Sequence, residues 1–200
     1  MPTTKIRERP RFNAEVRREQ ILNEAIRIIG ECGYNGFSIQ ELAQRCQLTN
    51  AGLLYHFGSK DQLLIALLQD RDRRDTVSLT SMTELASYHA AHGDTSMKTV
   101  LKLLRAIVQR NSEQPELVRL YTALHAEALN ETHPARDYFA QREMATIDAF
   151  AQMIGAHVEQ PRSTARQLLA LMSGLEAQWL RVGQSFDLVA EWDLGVAKLL

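Results

Sequence analysis

Cysteine is nearly absent. Cys32 and Cys46 are the two in 200 residues, and neither falls in a spacing that holds a metal or builds a disulfide framework. Both are expected to be buried, reduced thiols. Proline and glycine are few, five and ten, as in an ordinary globular chain. No stretch approaches the ~18 apolar residues of a membrane span, so no membrane partner is expected. Met1 to Arg18 is polar and basic, without the apolar core of a secretory signal, and the expected location is the cytoplasm. Alternating strand patterns are missing, as is a glycine-rich loop for phosphates.

Charge is also scarce in the net, at −1, but it is unevenly spread. Residues 1–60 hold nine Lys or Arg against six Glu, leaving 14 basic and 18 acidic residues for the remainder. A basic head on an acidic body suggests that the head meets a polyanion.

What is present is helical periodicity from end to end. A first helix is expected over about Ala14 to Cys32, with Val16, Ile21, Leu22, Ala25, Ile28 and Ile29 on its apolar face and Gly33 as its stop. Ser38 and Glu41 then make a capping box for a second helix through about Cys46, and Gln47-Leu48 joins it to a third over Asn50 to Phe57. Two short helices behind a longer one are a helix-turn-helix signature. After a break at Gly58, Ser59 and Gln62 form a second capping box for a fourth helix from Lys60 to Asp75 or beyond. Thr49 is placed to cap the third helix, and Tyr55, His56 and Lys60 offer donors to an anion while Leu53 and Phe57 turn inward.

Beyond a mixed segment ending at Gly93-Asp94, five more helices are expected. Met97, Val100, Leu101, Leu104, Ile107 and Val108 line the fifth, and Leu117, Leu120, Tyr121 and Leu124 the sixth, after Pro115. Pro134 is placed in the first turn of the seventh, which buries Tyr138, Ile147, Phe150, Ile154 and Val158. Pro161 separates it from an eighth over about Ser163 to Val182, and a last helix covers about Asp187 to Leu199. Leu168 to Met172 is apolar in every direction, so the eighth helix should be buried on all sides. A second subunit could supply one of those sides through Leu168, Leu169, Met172 and Leu175, or the helix could be the centre of a monomer.

The string Phe37-Ser-Ile-Gln-Glu-Leu-Ala43, then Leu48-Thr49 through Tyr55-His56-Phe57 and Ser59-Lys60, resembles the DNA-binding head of the TetR (tetracycline-repressor) family over the first 64 residues. The resemblance implies an all-α protein: a three-helix helix-turn-helix head plus a C-terminal helical bundle, about nine helices in total. It divides the chain into a basic arm (1–13), a head with the start of the connecting helix (14–74), and a ligand-sensing and dimerisation domain (75–200). The implied partners are a double-stranded DNA operator, a second copy of the chain and an unidentified small apolar effector, with no cofactor and no metal. In such a homodimer the two third helices enter successive major grooves about 34–36 Å apart, on a palindromic site.

Carried over by position, the resemblance places Gln40, Asn50, Ala51 and Gly52 at base edges. It places Ser38, Thr49, Tyr55, His56 and Lys60 at phosphates. Lys5, Arg7, Arg9 and Arg11 would form an arm on phosphates or the minor groove. Two departures stand out: members usually carry Gly where Ala51 is and an aromatic where Leu54 is. The glycine at 52 costs about 1 kcal/mol in a helix, which close backbone approach to DNA would explain. In the body, Tyr121, His125, Phe150 and Trp179 are aromatic or polar groups within apolar faces and are the candidate ligand pocket. The implied mechanism is repression relieved when the ligand displaces the fourth helix.

Other readings are open at this point. Tyr55 and His56 could cap a small core, and the run Arg71, Arg73, Arg74 reads as a solvated helix face. His89, His92, His125 and His133 lack the spacing of a metal site. Ser173 and Glu176 lie in an apolar helix, where packing is the commoner role, so no enzyme is expected. A dimer that binds DNA without any ligand, and an all-helical adaptor that binds protein, are the alternatives.

Overall fold

A computed structural model describes residues 12–73 and 96–200. Among these residues there are nine helices and no strand. They are α1 (Phe12–Gly36), α2 (Ile39–Arg45), α3 (Asn50–Phe57), α4 (60–73), α5 (Met97–Ser112), α6 (Pro115–Glu127), α7 (Arg136–Ile154), α8 (Pro161–Arg181) and α9 (Leu188–Val196). None of these helices is long and apolar enough to cross a membrane. The expected arm residues Lys5, Arg7, Arg9 and Arg11 lie outside the described residues, as do Arg74, His89, His92 and the far end of the fourth helix.

The chain packs into two apolar clusters. The first joins α1–α4 through Ile21, Ile28, Phe37, Leu42, Leu53 and Leu63, and it continues into Leu120 and Leu124 of α6 and Phe139 of α7. The second lies among α5, α7, α8 and α9 and contains Leu104, Phe150, Leu168, Trp179 and Trp192. Burying each such side chain stabilises the fold by roughly 1.5–3 kcal/mol. Within the first cluster α1 crosses α6, and at Gly30 the helices are close enough that a Cβ would sit 3.6 Å from the Glu116 and Leu120 backbone.

Most expected boundaries hold, and the differences have local causes. Helix α1 is interrupted at Gly33, whose φ of 72° suits glycine and few other residues. Val16 is 45% exposed rather than buried, because the cluster begins a turn later at Ile21. Pro134 lies in the turn before α7, not in its first turn, while Pro115 and Pro161 each open a helix. Val158 falls beyond the end of α7, and Phe139 rather than Tyr138 is the buried aromatic of its first turns. Both thiols are free, but neither is fully buried: Cys32 is exposed and Cys46 half-buried. Among the described residues, helix α8 is not enclosed all round: Leu168 and Met172 lie in the second cluster, Leu169 and Leu175 are half-buried against it, and Ala170 is exposed.

Candidate nucleic-acid interface

Three hydroxyls fix the starts of the short helices. Ser38 Oγ accepts the Glu41 N–H at 3.1 Å, Thr49 Oγ1 the Gly52 N–H at 3.0 Å, and Ser59 Oγ the Gln62 N–H at 3.0 Å. Each satisfies an amide that would otherwise lack a partner. The reciprocal half of the expected box at Ser38 is replaced, because the Glu41 carboxylate turns to Arg45 Nη2 at 2.8 Å. Arg45 also reaches Glu24 of α1, at 3.3 Å.

The α2–α3 turn is a Schellman closure. Gln47 N–H donates to Gln44 O and Leu48 N–H to Ala43 O at 2.8 Å, with Gln47 left-handed at φ 56°. Two arginines of α1 close the far ends of the pair. Arg17 makes a long contact with Cys46 O at 3.5 Å, and Arg18 donates to His56 O at 3.3 Å with its guanidinium 4.5 Å over the Phe57 ring. Cations at helix C-termini complement the helix dipole. These two roles are not legible in the sequence, where the arginines count only as charge.

With the frame held this way, Gln40, Asn50, Ala51, Ser38 and Thr49 are all exposed. Tyr55 is 89% exposed, so it caps no core. His56 is half-buried, with its ring between those of Tyr55 and Phe57. At Gly52 a Cβ would stand 3.2 Å from Thr49 Oγ1, so crowding of the cap is itself a reason for glycine there. Lys60 is half-buried, its ammonium 4.3 Å over the Tyr34 ring.

In the body, the four candidate pocket residues fall into two groups. Phe150 and Trp179 belong to the second cluster. Tyr121 and His125 instead flank Phe139 edge-on, and His125 is exposed, with Nε2 3.4 Å from Glu143. Between them runs a polar network that the sequence reading missed. Asp72 of α4 accepts from the Tyr138 hydroxyl at 2.6 Å and Arg142 Nε at 3.2 Å, and the Tyr121 hydroxyl lies 3.5 Å away. Asn111 Nδ2 donates to Glu176 Oε1 at 2.6 Å. Burial pushes the Glu176 carboxyl up to about 7, against the Asn111 bond and the Arg142 charge. Burial, and then Tyr121 and Asp72, also raise the Tyr138 phenol. The local signal was the i, i+4 spacing of Tyr138 and Arg142, which share a face of α7.

Arg71 is no solvated residue: half-buried, it donates to Gln114 at 2.8 Å and ties α4 to the start of α6. Arg73 is exposed beside Asp70.

Residues 21–67 match the family model described as bacterial regulatory proteins, tetR family. The chain is 27% identical over 175 residues to the HTH-type transcriptional regulator BetI of Burkholderia ambifaria, covering 84% of this chain and 82% of that one. Among solved structures it is similar to a transcriptional regulator of Aquifex aeolicus VF5, with a TM-score of 0.70 at 16% identity over 92% of this chain and 99% of that one. It is also similar to NalD of Pseudomonas aeruginosa, with a TM-score of 0.68 at 20% identity over 93% and 96%. The second is described as the secondary repressor of the MexAB-OprM multidrug efflux pump.

Proposed function

We propose that this chain, which belongs to the TetR family of DNA-binding transcriptional regulators, acts as a homodimeric repressor released from a palindromic operator by a small apolar ligand. The observation that carries the DNA-facing half is the exposed row of Gln40, Asn50, Ala51 and Tyr55, presented by helices whose own amides are already capped. Gln40 and Asn50 carry paired donor and acceptor groups suited to adenine. Ala51 and Gly52 let the backbone come close. Ser38 and Thr49 accept from backbone amides, which leaves each hydroxyl proton to donate to a phosphate. Tyr55, His56 and Lys60 complete the phosphate set, with Lys5, Arg7, Arg9 and Arg11 as the arm.

In this reading α8 meets the second copy through Leu169 and Leu175, half-buried in the single chain, with Leu168 and Met172 anchoring the helix to the second cluster. The ligand enters near Phe150 and Trp179, with Tyr121 and His125 at its edge, and its binding shifts α4 through the Asp72 network. The repressor role is supported by the fold shared with NalD. A pocket for small molecules is supported by the fold shared with EbrR, described as a multidrug binding protein in complex with imidazole. Ligand and DNA then prefer different arrangements and oppose each other by typically 1–3 kcal/mol.

One observation favours the second reading, a dimer without a ligand. The cleft lined by Leu22, Ile26, Leu67, Arg71 and Leu117 is about 80 Å³ and touches none of the four pocket residues. Drug-sized ligands occupy roughly 300–1,000 Å³.

The test is titration of the protein into labelled DNA from upstream of its own gene, beside an unrelated duplex, at two salt concentrations. Selective tight binding is expected; absence of binding to either at low salt would sink the reading. Asn50→Ala should cost about 1–3 kcal/mol and relax specificity at one or two operator positions. Unchanged preference in a randomised-site selection would remove Asn50 from the base-reading set.

A further inference from the structure

Lys60 is held in an unusual way for a surface cation. Its ammonium lies 4.3 Å over the Tyr34 ring and 5.4 Å from the centre of Phe37. Tyr34 itself is 6% exposed and is gripped from both halves of the molecule. From the head, its hydroxyl makes a short hydrogen bond to the Asp61 carboxylate, next to Lys60. From the body, Glu127 Oε2 at the end of α6 accepts the Tyr34 N–H at 2.9 Å, and the ring of His133 meets it edge-on at 5.2 Å. His133 Nδ1 accepts from the Ala135 N–H, so its proton sits on Nε2, which faces the same Glu127 carboxylate at 3.6 Å. The left-handed Gly33 is what lets this carboxylate in, since a Cβ there would stand 2.1 Å from Glu127 Oε1.

We infer that Tyr34 is a positioning residue for DNA binding, holding the Lys60 ammonium in place and tying its position to Glu127 on the body. A lysine on four rotatable bonds loses much freedom on binding a phosphate, and an aromatic face that already restrains it removes part of that loss. A ring that served packing alone would need neither the cation over its face nor an amide anchored to another part of the molecule. The inference rests on the reading of Lys60 as a phosphate contact.

The experiment measures affinity for a fluorescein-labelled duplex of arbitrary sequence, long enough for both heads, between about 0.05 and 0.2 M salt. The variants are Lys60→Ala, Tyr34→Leu, Tyr34→Phe, Glu127→Ala and the doubles with Lys60→Ala. Lys60→Ala removes one phosphate contact from each of the two heads and should lower the salt slope by about two. Tyr34→Leu should move the slope towards that value and weaken binding about threefold to tenfold, while Tyr34→Phe, which keeps the ring face, stays within about twofold. In the Lys60→Ala background, Tyr34→Leu and Glu127→Ala should do nothing further. Equal losses in both backgrounds would mean that Tyr34 is only packing, and would overturn the inference. So would a wild-type slope in Tyr34→Leu beside a reduced one in Lys60→Ala. A wild-type slope in Lys60→Ala would instead remove the phosphate reading on which the inference stands. If Tyr34→Leu fails to fold, Glu127→Ala carries the same comparison.

Discussion

The head and the body are both built of helices, yet they place their polar side chains in opposite ways. In α1–α3, Tyr34 apart, the polar groups described cap helix ends or stand in solvent, and the Arg45–Glu41 and Arg45–Glu24 pairs lie on the surface. In the body, Tyr138 and Arg142 of α7 turn inward to Asp72 of α4, and Asn111 of α5 turns inward to Glu176 of α8. Surface pairs in the head contribute little to stability, typically 0–1 kcal/mol. A half-buried network is costlier to disturb, because its members are only partly open to water. The difference teaches that the head is specified by local hydrogen bonding and the body by distant contacts.

The largest expected effect tests whether the two regions are separate at all. Leu53 is fully buried in the first cluster, and Leu53→Ala should cost about 2–5 kcal/mol. Both tryptophans lie in the second cluster, so their fluorescence reports the body. Because the first cluster runs on into α6 and α7, the urea midpoint seen by tryptophan should fall with that seen by circular dichroism. A tryptophan transition that stays put would show two independent units.

A smaller effect concerns the inward polar groups. Glu176 keeps its proton up to about pH 7 in the folded chain, while in the unfolded chain it ionises near 4.5. The folded state therefore binds more protons between those values, and stability falls as pH rises through that window. Glu176→Gln removes the charge and keeps an oxygen for Asn111. It should raise stability at pH 8 by about 1–3 kcal/mol and leave it almost unchanged at pH 4. Identical pH–stability curves for the variant and the parent would contradict the assignment.

The smallest effect compares two helix ends. In the body, α8 ends in the same closure as α2: Gln184 N–H donates to Trp179 O at 2.8 Å and Gly183 is left-handed at φ 64°. The head uses Gln47 where the body uses glycine. Gln47→Gly should then stabilise the head by up to about 1 kcal/mol, the strain relieved exceeding the entropy added. A lower melting temperature would mean that the Gln47 side chain has a role of its own.

What could be read from the sequence follows the same division. Ser38, Thr49, Ser59 and Pro115 act within a few residues of themselves, so spacing alone predicts them. Tyr138 was expected in the core because it falls on the apolar face of α7; its hydroxyl needs a polar partner, and Asp72, 66 residues away, turns it into the network. Arg17, Arg18 and Arg71 act on carbonyls and amides of other helices, so composition registers them only as charge. The apolar run of α8 predicted burial but not which side would be covered.

The mooring of α1 on α6 has a mechanical consequence. Gly30 lies at that crossing, and Arg18, a dozen residues earlier, holds the end of α3. At 1.5 Å per residue the two points are roughly 18 Å apart along the helix. The helix is thus a lever with its fulcrum on the body. A rotation of about 10° at the crossing carries the Arg18 end some ~3 Å, close to the ~3.4 Å spacing of successive base pairs. A tilt of that size is enough to put the third helix about one base step out of place.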